Sequence, residues 1–142
     1  MKRIITLILT AVILFAAVIV PISAVNYDDQ IAPCYNNTIK TSTIFQISED
    51  GLATAILDYT GYSNYTTDAT ITCHIEKSRW LIGGWKDVSG ASWTDEVTGV
   101  TNTVVHTFQL SKKGTYRLVY EYEIRGTGGA ADIISDNIED TY

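Results

Sequence analysis

The side chains that most often carry catalysis or bind metals are scarce in this chain. It has two histidines, His74 and His106, among 142 residues. The two could share a metal ion only if separate strands brought them together with carboxylates such as Glu76 or Asp95. We expect instead that His74 is an exposed strand residue and that His106 lies at a strand boundary. The sequence therefore predicts no metal site.

Sequence motifs of the common enzyme classes are also missing. The chain has no His-Glu-x-x-His, no Gly-x-Ser-x-Gly, no phosphate-binding glycine loop and no Cys-x-x-Cys. His74 directly follows Cys73 in a segment that alternates like a strand. Because neighbouring side chains on a strand point to opposite faces, these two cannot form a catalytic Cys–His pair. We expect no catalytic residue and no cofactor.

Carboxylates are more numerous, but their pattern favours structural roles. Glu121 and Glu123 share one face of an extended segment with Arg117 and Arg125, which predicts a ladder of exposed charges between strands. A second group near the C-terminus lacks the tight spacing and the glycine of a calcium loop, so we expect a solvated acidic tail there. Its members are Asp132, Asp136, Glu139 and Asp140.

The chain has two cysteines, Cys34 and Cys73. In an oxidising compartment an even count favours a disulfide, which would close a loop of about 40 residues and stabilise the fold by roughly 3 to 4 kcal/mol. The alternative is that Cys73, on the same face as Ile71 and Ile75, is a buried apolar side chain and that Cys34 is an exposed thiol. The sequence leaves both possibilities open.

Aromatic side chains are the one feature that suggests a binding surface. Tyr62 and Tyr65 lie in one polar loop, and Trp80, Trp85 and Trp93 lie in and after a predicted hairpin. Flat aromatic faces can stack on sugar rings or on protein side chains. We therefore predict these five residues as ligand-binding candidates. The alternative is that the tryptophans are mainly core residues of a β-sandwich.

The N-terminus differs in character from the rest of the chain. Lys2 and Arg3 precede the apolar run Ile4 to Val20, and Pro21-Ile22-Ser23-Ala24 follows. This order of charged, apolar and small residues is typical of a helical secretory signal peptide, and we expect cleavage after residue 24. The alternative is an uncleaved membrane anchor, because residues 4–22 are about long enough to span a bilayer.

Charge and composition limit the partners. Cleavage would remove two of the 10 basic residues and none of the 16 acidic ones, which leaves a net charge of about −8. Binding to nucleic acid requires a clustered basic face, so we do not expect a nucleic-acid partner. The 46% hydrophobic content is enough for one core. We expect a signal peptide at 1–24, an irregular leader at 25–38 and one domain at 39–142.

The segment from Gly114 to Ile124 organises the predicted domain. Its residues alternate, with apolar and aromatic side chains on one face and charged side chains on the other, which is the period of a strand. Leu110 and Gly114 precede Tyr116 by six and two residues. This spacing is typical of the tyrosine corner of immunoglobulin-like domains, in which the phenol hydroxyl bonds to nearby backbone. We expect a central strand.

The remaining segments also read as strands. Residues 41–48 and 53–59 predict a hairpin around Asp50-Gly51, residues 69–76 predict a half-buried strand, and Gly83-Gly84 predicts a second hairpin. Residues 88–100 are poorly patterned, the register of residues 101–110 stays open, and residues 131–138 form the last strand. About seven strands predict an all-β fold, an immunoglobulin-like antiparallel sandwich, with a small β-barrel as the alternative.

Several of these segments together carry a resemblance. They are Tyr59 to Ser63, Asp68 to Thr72, Trp80 to Trp85 and Phe108 to Arg117. This combination, behind a signal peptide, resembles small exported domains of uncharacterised function from Gram-positive, often gut-associated bacteria. The resemblance covers most of residues 35–142 and implies export and a compact β-domain. It implies no catalytic residues, and the cysteine pair is not part of it.

Three classes of function follow from these observations. The leading expectation is a secreted or cell-surface, non-enzymatic domain that binds a protein or a glycan. The alternative is a structural protein of the cell envelope, held by an uncleaved N-terminal segment, and only in that case do we expect contact with a membrane. An enzyme ranks last, because the sequence offers no catalytic constellation.

Overall fold

The computed structural model describes residues 35–79 and 81–142. The predicted signal peptide, the predicted leader up to residue 34, Cys34 and Trp80 lie outside the described residues. Strands account for most of the described chain, and β1 begins at Thr38, at the end of the predicted leader. The strands are β1 (Thr38–Ile47), β2 (Leu52–Gly61), β3 (Thr66–Ser78), β4 (Trp85–Thr98), β5 (Thr101–Gln109), β6 (Thr115–Gly126) and β7 (Asp132–Thr141).

The seven strands form two antiparallel sheets. One sheet has the order β1-β2-β5 and the other the order β4-β3-β6-β7. The prediction of an all-β fold with about seven strands is confirmed. Among the described residues, no helix has the length and apolar character needed to cross a membrane.

Strand β6 occupies the centre of the larger sheet, as the alternation predicted. It pairs with β3 on one side and with β7 on the other. Leu118, Tyr122 and Ile124 are completely buried, and Tyr116 is nearly so. The Tyr116 hydroxyl donates a hydrogen bond to the carbonyl oxygen of Lys112, in the loop that leads into the strand. This bond fixes the entry of the chain into the central strand.

The two sheets share one apolar core, which lies between their inner faces. The smaller sheet contributes the alternating buried side chains of β2, and the larger sheet those of β3 and β6. The Tyr122 hydroxyl of β6 also lies 2.7 Å from Thr43 Oγ1 of β1, so a polar contact joins the sheets as well. The central members of the core are Ala53, Ala55, Leu57, Tyr59, Ala69, Ile71, Cys73, Ile75, Leu118, Tyr122 and Ile124.

Strand β4 differs from the expectation of a poorly patterned segment. It is the longest strand, with 14 residues, and it is irregular where its pairing with β3 shifts register between His74 and Glu76. Gly90 has a positive φ of 82°, and Ala91 beside it is completely buried. This irregularity moves side chains from one face to the other, which hides the two-residue period in the sequence. Trp93 and Val97 pack against the core.

The predicted acidic tail is also corrected by the structure. Asp132, Asp136, Glu139 and Asp140 all belong to β7, at the edge of the larger sheet. Asp132 is 5% exposed and bonds to the backbone near the start of β1. Asp140 accepts a hydrogen bond from the Ile47 amide. At least two of the four acids therefore have structural partners, while Asp136 and Glu139 are exposed.

Candidate functional site

Two of the predicted aromatic residues form an exposed pair. Tyr62 and Tyr65 lie in the turn that joins β2 to β3, and they are 40% and 49% exposed. Their ring centroids are 6.4 Å apart, with the ring planes at 75°. This edge-to-face arrangement holds the rings against each other while much of each ring stays in contact with solvent.

The tyrosine pair lines an open cleft at one end of the strands. Three parts of the chain meet there: the segment before β1, the β2–β3 turn and the β6–β7 loop. The cleft has a volume of about 410 Å³, which is in the range of small-ligand sites. We call it the tyrosine cleft, and it is lined by Tyr35, Asn36, Tyr62, Tyr65, Thr127 and Gly128.

A buried asparagine holds the walls of the tyrosine cleft together. The side chain of Asn37 is fully buried, donates to the Ala130 carbonyl oxygen at 2.9 Å, and accepts from the Gly128 amide at 3.2 Å. The Asn37 carbonyl oxygen accepts from the Tyr62 amide at 3.2 Å and from the Thr66 hydroxyl. One residue therefore joins all three segments that line the cleft, which organises the site before any ligand binds.

Asp132 also holds the segment before β1, which forms one wall of the tyrosine cleft. Its carboxylate accepts hydrogen bonds from the Asn36 amide at 2.9 Å, the Asn37 amide at 2.7 Å and the Thr38 hydroxyl at 2.9 Å. Burial alone would raise the pKa of this carboxyl, but the bonds from residues 36–38 outweigh burial and lower the pKa below 3.8. Asp132 is therefore ionised near neutral pH and binds the backbone that leads into the cleft.

A close backbone approach completes the cleft. The Thr127 amide donates to the Tyr65 carbonyl oxygen at 2.8 Å, so the β6–β7 loop lies directly against the tyrosine turn. A Cβ atom at Gly126 would lie 2.1 Å from that same oxygen. Only glycine fits there, because any side chain would push the two loops apart.

The predicted tryptophans do not join the tyrosine pair. Trp85 is at the start of β4, at the opposite end of the strands, where it is half-buried and the Arg117 guanidinium lies 4.5 Å from its ring centroid. Trp93 packs against the core and stacks on His106, with ring centroids 4.8 Å apart. Trp80 lies outside the described residues. The four candidates that the structure describes are therefore divided between separate places.

The two histidines have different surroundings. His74 lies on the outer face of the larger sheet, 3.8 Å from both Glu76 Oε1 and Asp87 Oδ1. The ligand atoms of these three residues lie within 4.8 Å of one another, a spacing that a divalent cation could bridge. However, the other oxygen of Glu76 accepts from Arg117 Nε, so a permanent cation already neutralises that carboxylate. This arrangement continues the predicted charge ladder between strands.

His106 lies in β5 of the smaller sheet and pairs with Asp95 in β4 of the larger sheet. Its Nε2 atom lies 2.6 Å from Asp95 Oδ2, and the imidazole is 15% exposed. Since β5 and β4 belong to different sheets, this pair bridges the sheets at the side where both strands are edges. The stacking on Trp93 covers one face of the ring. The imidazole is thus largely covered, while the Asp95 side chain stays 27% exposed.

Cys73 is on the inner face of β3 and is 2% exposed. Burial, with a smaller contribution from Asp95, raises the pKa of the thiol to about 12. The thiolate is the reactive form, so Cys73 is unreactive at neutral pH. Its predicted disulfide partner, Cys34, lies outside the described residues, and the disulfide stays a prediction.

Several residues of the cleft were not singled out from the sequence. Asn37 and Asp132 are 95 residues apart, and both lie in polar segments that read as irregular or solvated. The only local signals were Asn36-Asn37-Thr38, a run of residues that commonly bond to backbone, and an aspartate at the first position of a strand. Neither signal identifies its partner.

Comparisons of the chain with protein-family models, with curated proteins and with solved structures give no match. Its function must therefore be inferred from its own residues.

Proposed function

We propose that this chain is an exported, non-enzymatic binding domain that takes a glycan in the tyrosine cleft. The single observation that carries the proposal is the exposed pair Tyr62 and Tyr65 in a pre-formed cleft. A sugar ring has apolar C–H faces that stack on aromatic rings and hydroxyl groups that need polar partners. The cleft offers tyrosine rings beside an exposed amide, Asn36, and an exposed hydroxyl residue, Thr127.

The rigidity of the cleft supports a binding role. Two exposed aromatic rings side by side form a small apolar patch, and such patches can mark binding sites. Here the backbone beneath them is fixed by Asn37, Asp132 and Gly126, none of which contributes to the apolar core. A fixed backbone reduces the ordering cost of binding, so the bonds of this frame favour a ligand that fits the cleft.

The proposal includes an immunoglobulin-like arrangement of the sandwich. If β1 to β7 are given the letters A to G, the sheets are A-B-E and D-C-F-G. The constant-type immunoglobulin domain has A-B-E-D and C-F-G, so only the fourth strand differs, as it pairs here with the third. The Tyr116 bond at the start of the sixth strand is at the place of the tyrosine corner. In such domains the loops at the ends of the sheets carry binding.

The lack of an enzymatic role is supported by the surroundings of the reactive groups. The Cys73 thiol is buried with a raised pKa, and the imidazole of the His106–Asp95 pair is covered on one face by Trp93. Export is supported by the order of residues 1–24, which matches a signal peptide.

The proposal is tested on a panel of immobilised glycans. The intact domain should bind at least one glycan, and the double substitution Tyr62→Ala with Tyr65→Ala should weaken that binding at least about tenfold, because both stacking faces are lost. Both side chains are exposed, so the domain should remain folded, which circular dichroism checks.

Trp85→Ala provides a matched control, since it removes an aromatic ring at the opposite end of the strands. This variant should bind glycans as the native domain does. The proposal is wrong if the intact domain binds no glycan, or if the control loses as much binding as the tyrosine variant.

A further inference from the structure

A second exposed feature lies at the other end of the strands, in the hairpin between β3 and β4. Leu81 is 86% exposed and Ile82 is 77% exposed, the two largest values among the exposed large hydrophobic residues described. Both precede Gly83 and Gly84, whose positive φ angles of 71° and 79° close the turn. We call residues 81–84 the hairpin tip.

The hairpin tip is held in shape but projects away from the fold. The Arg79 amide donates to the Gly84 carbonyl oxygen at 2.9 Å, and the Gly83 amide donates to the Arg79 carbonyl oxygen at 2.8 Å. A Cβ atom at Gly83 or Gly84 would have no neighbour within 4 Å. The two aliphatic side chains are therefore presented by an ordered turn with open space around it.

Basic residues surround the base of the hairpin tip. A groove of about 560 Å³ lies there, and four of the eight lysines and arginines in residues 35–142 line it, with Asp87 as the one acid among the described lining residues. Three of these basic side chains are exposed. The positive charge is thus concentrated at this groove, although acidic residues outnumber basic ones in the chain as a whole. The four basic residues are Lys77, Arg79, Lys86 and Lys112.

We propose that the hairpin end docks on the surface of an anionic lipid bilayer. Leu81 and Ile82 enter the boundary between headgroups and acyl chains, and Arg79, Lys86 and Lys112 contact anionic headgroups behind them. Peripheral membrane binding combines these two contributions, a small buried apolar area and attraction between basic residues and anionic lipids. This proposal does not depend on the glycan proposal, because the tyrosine cleft is at the opposite end of the strands.

The dimensions of the tip favour a bilayer over a protein partner. A stable protein interface covers about 800 Å² on each partner and usually has aromatic or arginine residues in a flat, well-packed patch. The hairpin tip offers two adjacent aliphatic side chains on a narrow projection, which is too small for such a patch. A lipid surface can enclose a projection of this size from all sides, and no complementary pocket is needed.

The test measures binding of the processed chain, as recovered from expressing cells, to sedimenting vesicles. One set of vesicles contains phosphatidylcholine with about one third phosphatidylglycerol, and the other contains phosphatidylcholine alone. The native chain should bind the anionic vesicles more tightly, and binding should weaken as salt rises, because salt screens the headgroup charge.

Two variants separate the apolar and the charged contributions. Leu81→Ser with Ile82→Ser should weaken binding to anionic vesicles at least about tenfold. Its matched control is Ile133→Ser with Val105→Ser, which changes aliphatic residues that are 63% and 55% exposed on strands. This control should bind as the native chain does.

Removing a positive charge near the tip should matter less than removing both aliphatic side chains. Lys112→Ala should weaken binding about fivefold, the effect expected of one basic residue at an anionic surface. Lys40→Ala, in β1, is the control and should have no effect.

Three results would overturn the proposal. They are an absence of binding by the native chain, equal binding to neutral and anionic vesicles, and normal binding by the Leu81→Ser, Ile82→Ser variant. In the last case the basic residues alone would hold the vesicle, and the hairpin tip would take no part in binding. The Tyr62→Ala, Tyr65→Ala variant should bind vesicles normally, so failure of one proposal does not imply failure of the other.

Discussion

At the scale of single residues, hydrogen bonds fix the positions of the buried polar side chains in this domain. Among the described residues, no buried side-chain nitrogen or oxygen is without a hydrogen-bond partner. Asp132 is the clearest case, because three donors from residues 36–38 surround it. An unpaired buried polar group costs about 1 to 3 kcal/mol, so each such residue determines where its partners lie.

Asp132→Asn tests this role. Asparagine has nearly the same shape, but it lacks the negative charge and offers one acceptor oxygen in place of two. We expect the free energy of unfolding to fall by about 2 to 3 kcal/mol, because charge-assisted bonds to the backbone are lost. Urea denaturation near neutral pH measures the change. Asp136→Asn, at an exposed position of the same strand, should change stability by less than about 0.5 kcal/mol.

The difference in stability between the native chain and Asp132→Asn should also depend on pH. Because the pKa of Asp132 is lowered in the folded state, its contribution is present above pH 3.8 and is lost as the pH falls through the folded pKa. The difference in stability between the native chain and Asp132→Asn should therefore shrink below about pH 4. A difference that stays constant on acidification would show that the carboxylate charge is not what holds residues 36–38.

At the scale of elements, regular strands could be predicted and irregular ones could not. From Ala69 to Ile75 in β3 and from Tyr116 to Ile124 in β6, inward and outward side chains alternate, so the sequence shows which face is buried. In β5, Val104 is buried while its neighbour Val105 is 55% exposed, and adjacent apolar residues conceal which face is internal. In β4 the register shift has the same effect. Local pattern cannot reveal a register that is set by the neighbouring strand.

The candidate site could likewise be predicted only where its residues are close together in the sequence. Tyr62 and Tyr65 were predicted together because one short loop contains both. Tyr35 and Thr127 reach the cleft from segments far away in the sequence, and the topology of two sheets brings them there. The exposure of Leu81 and Ile82 was not predicted either, since nothing in an apolar pair shows whether a turn buries it. Sequence therefore identified the aromatic residues but not their surroundings.

The irregularity in β4 leads to a prediction for Gly90→Ala. The nearest atom to a Cβ at this position is in the Phe108 ring at 3.8 Å, so there is room for a methyl group. The positive φ of 82° is nevertheless unfavourable for alanine, and we expect a loss of about 1 kcal/mol in the free energy of unfolding. Thermal or urea denaturation measures it. Ser89→Ala, next in sequence and exposed, should be nearly neutral, and an equal loss in both variants would contradict the φ argument.

At the scale of the whole molecule, two of the ionisable groups buried between the sheets have strongly raised pKa values. Tyr122 is completely buried, and burial raises the pKa of its hydroxyl from 10.0 to about 12. Burial also raises the pKa of the Cys73 thiol from 9.0 to about 12. In both cases the folded state retains a proton that the unfolded chain releases at lower pH. The contribution of these two groups to the free energy of unfolding is therefore fully present below pH 9, and it decreases as the pH rises through the range 9 to 12.

This alkaline decrease should depend on the redox state of Cys73. In reducing buffer the thiol titrates in the unfolded chain, so stability should begin to fall near pH 9, and each group contributes on the order of 3 kcal/mol over its range. If Cys34 and Cys73 form the predicted disulfide, the oxidised chain has no thiol to titrate, and the fall should begin only near pH 10, from the buried tyrosines Tyr59 and Tyr122, whose pKa values burial raises. Urea denaturation at a series of pH values, with and without reductant, separates the two cases. Tyr122→Phe should reduce the remaining slope, and a stability that does not change between pH 9 and about pH 11 in either buffer would mean that neither Cys73 nor Tyr122 is buried between the sheets.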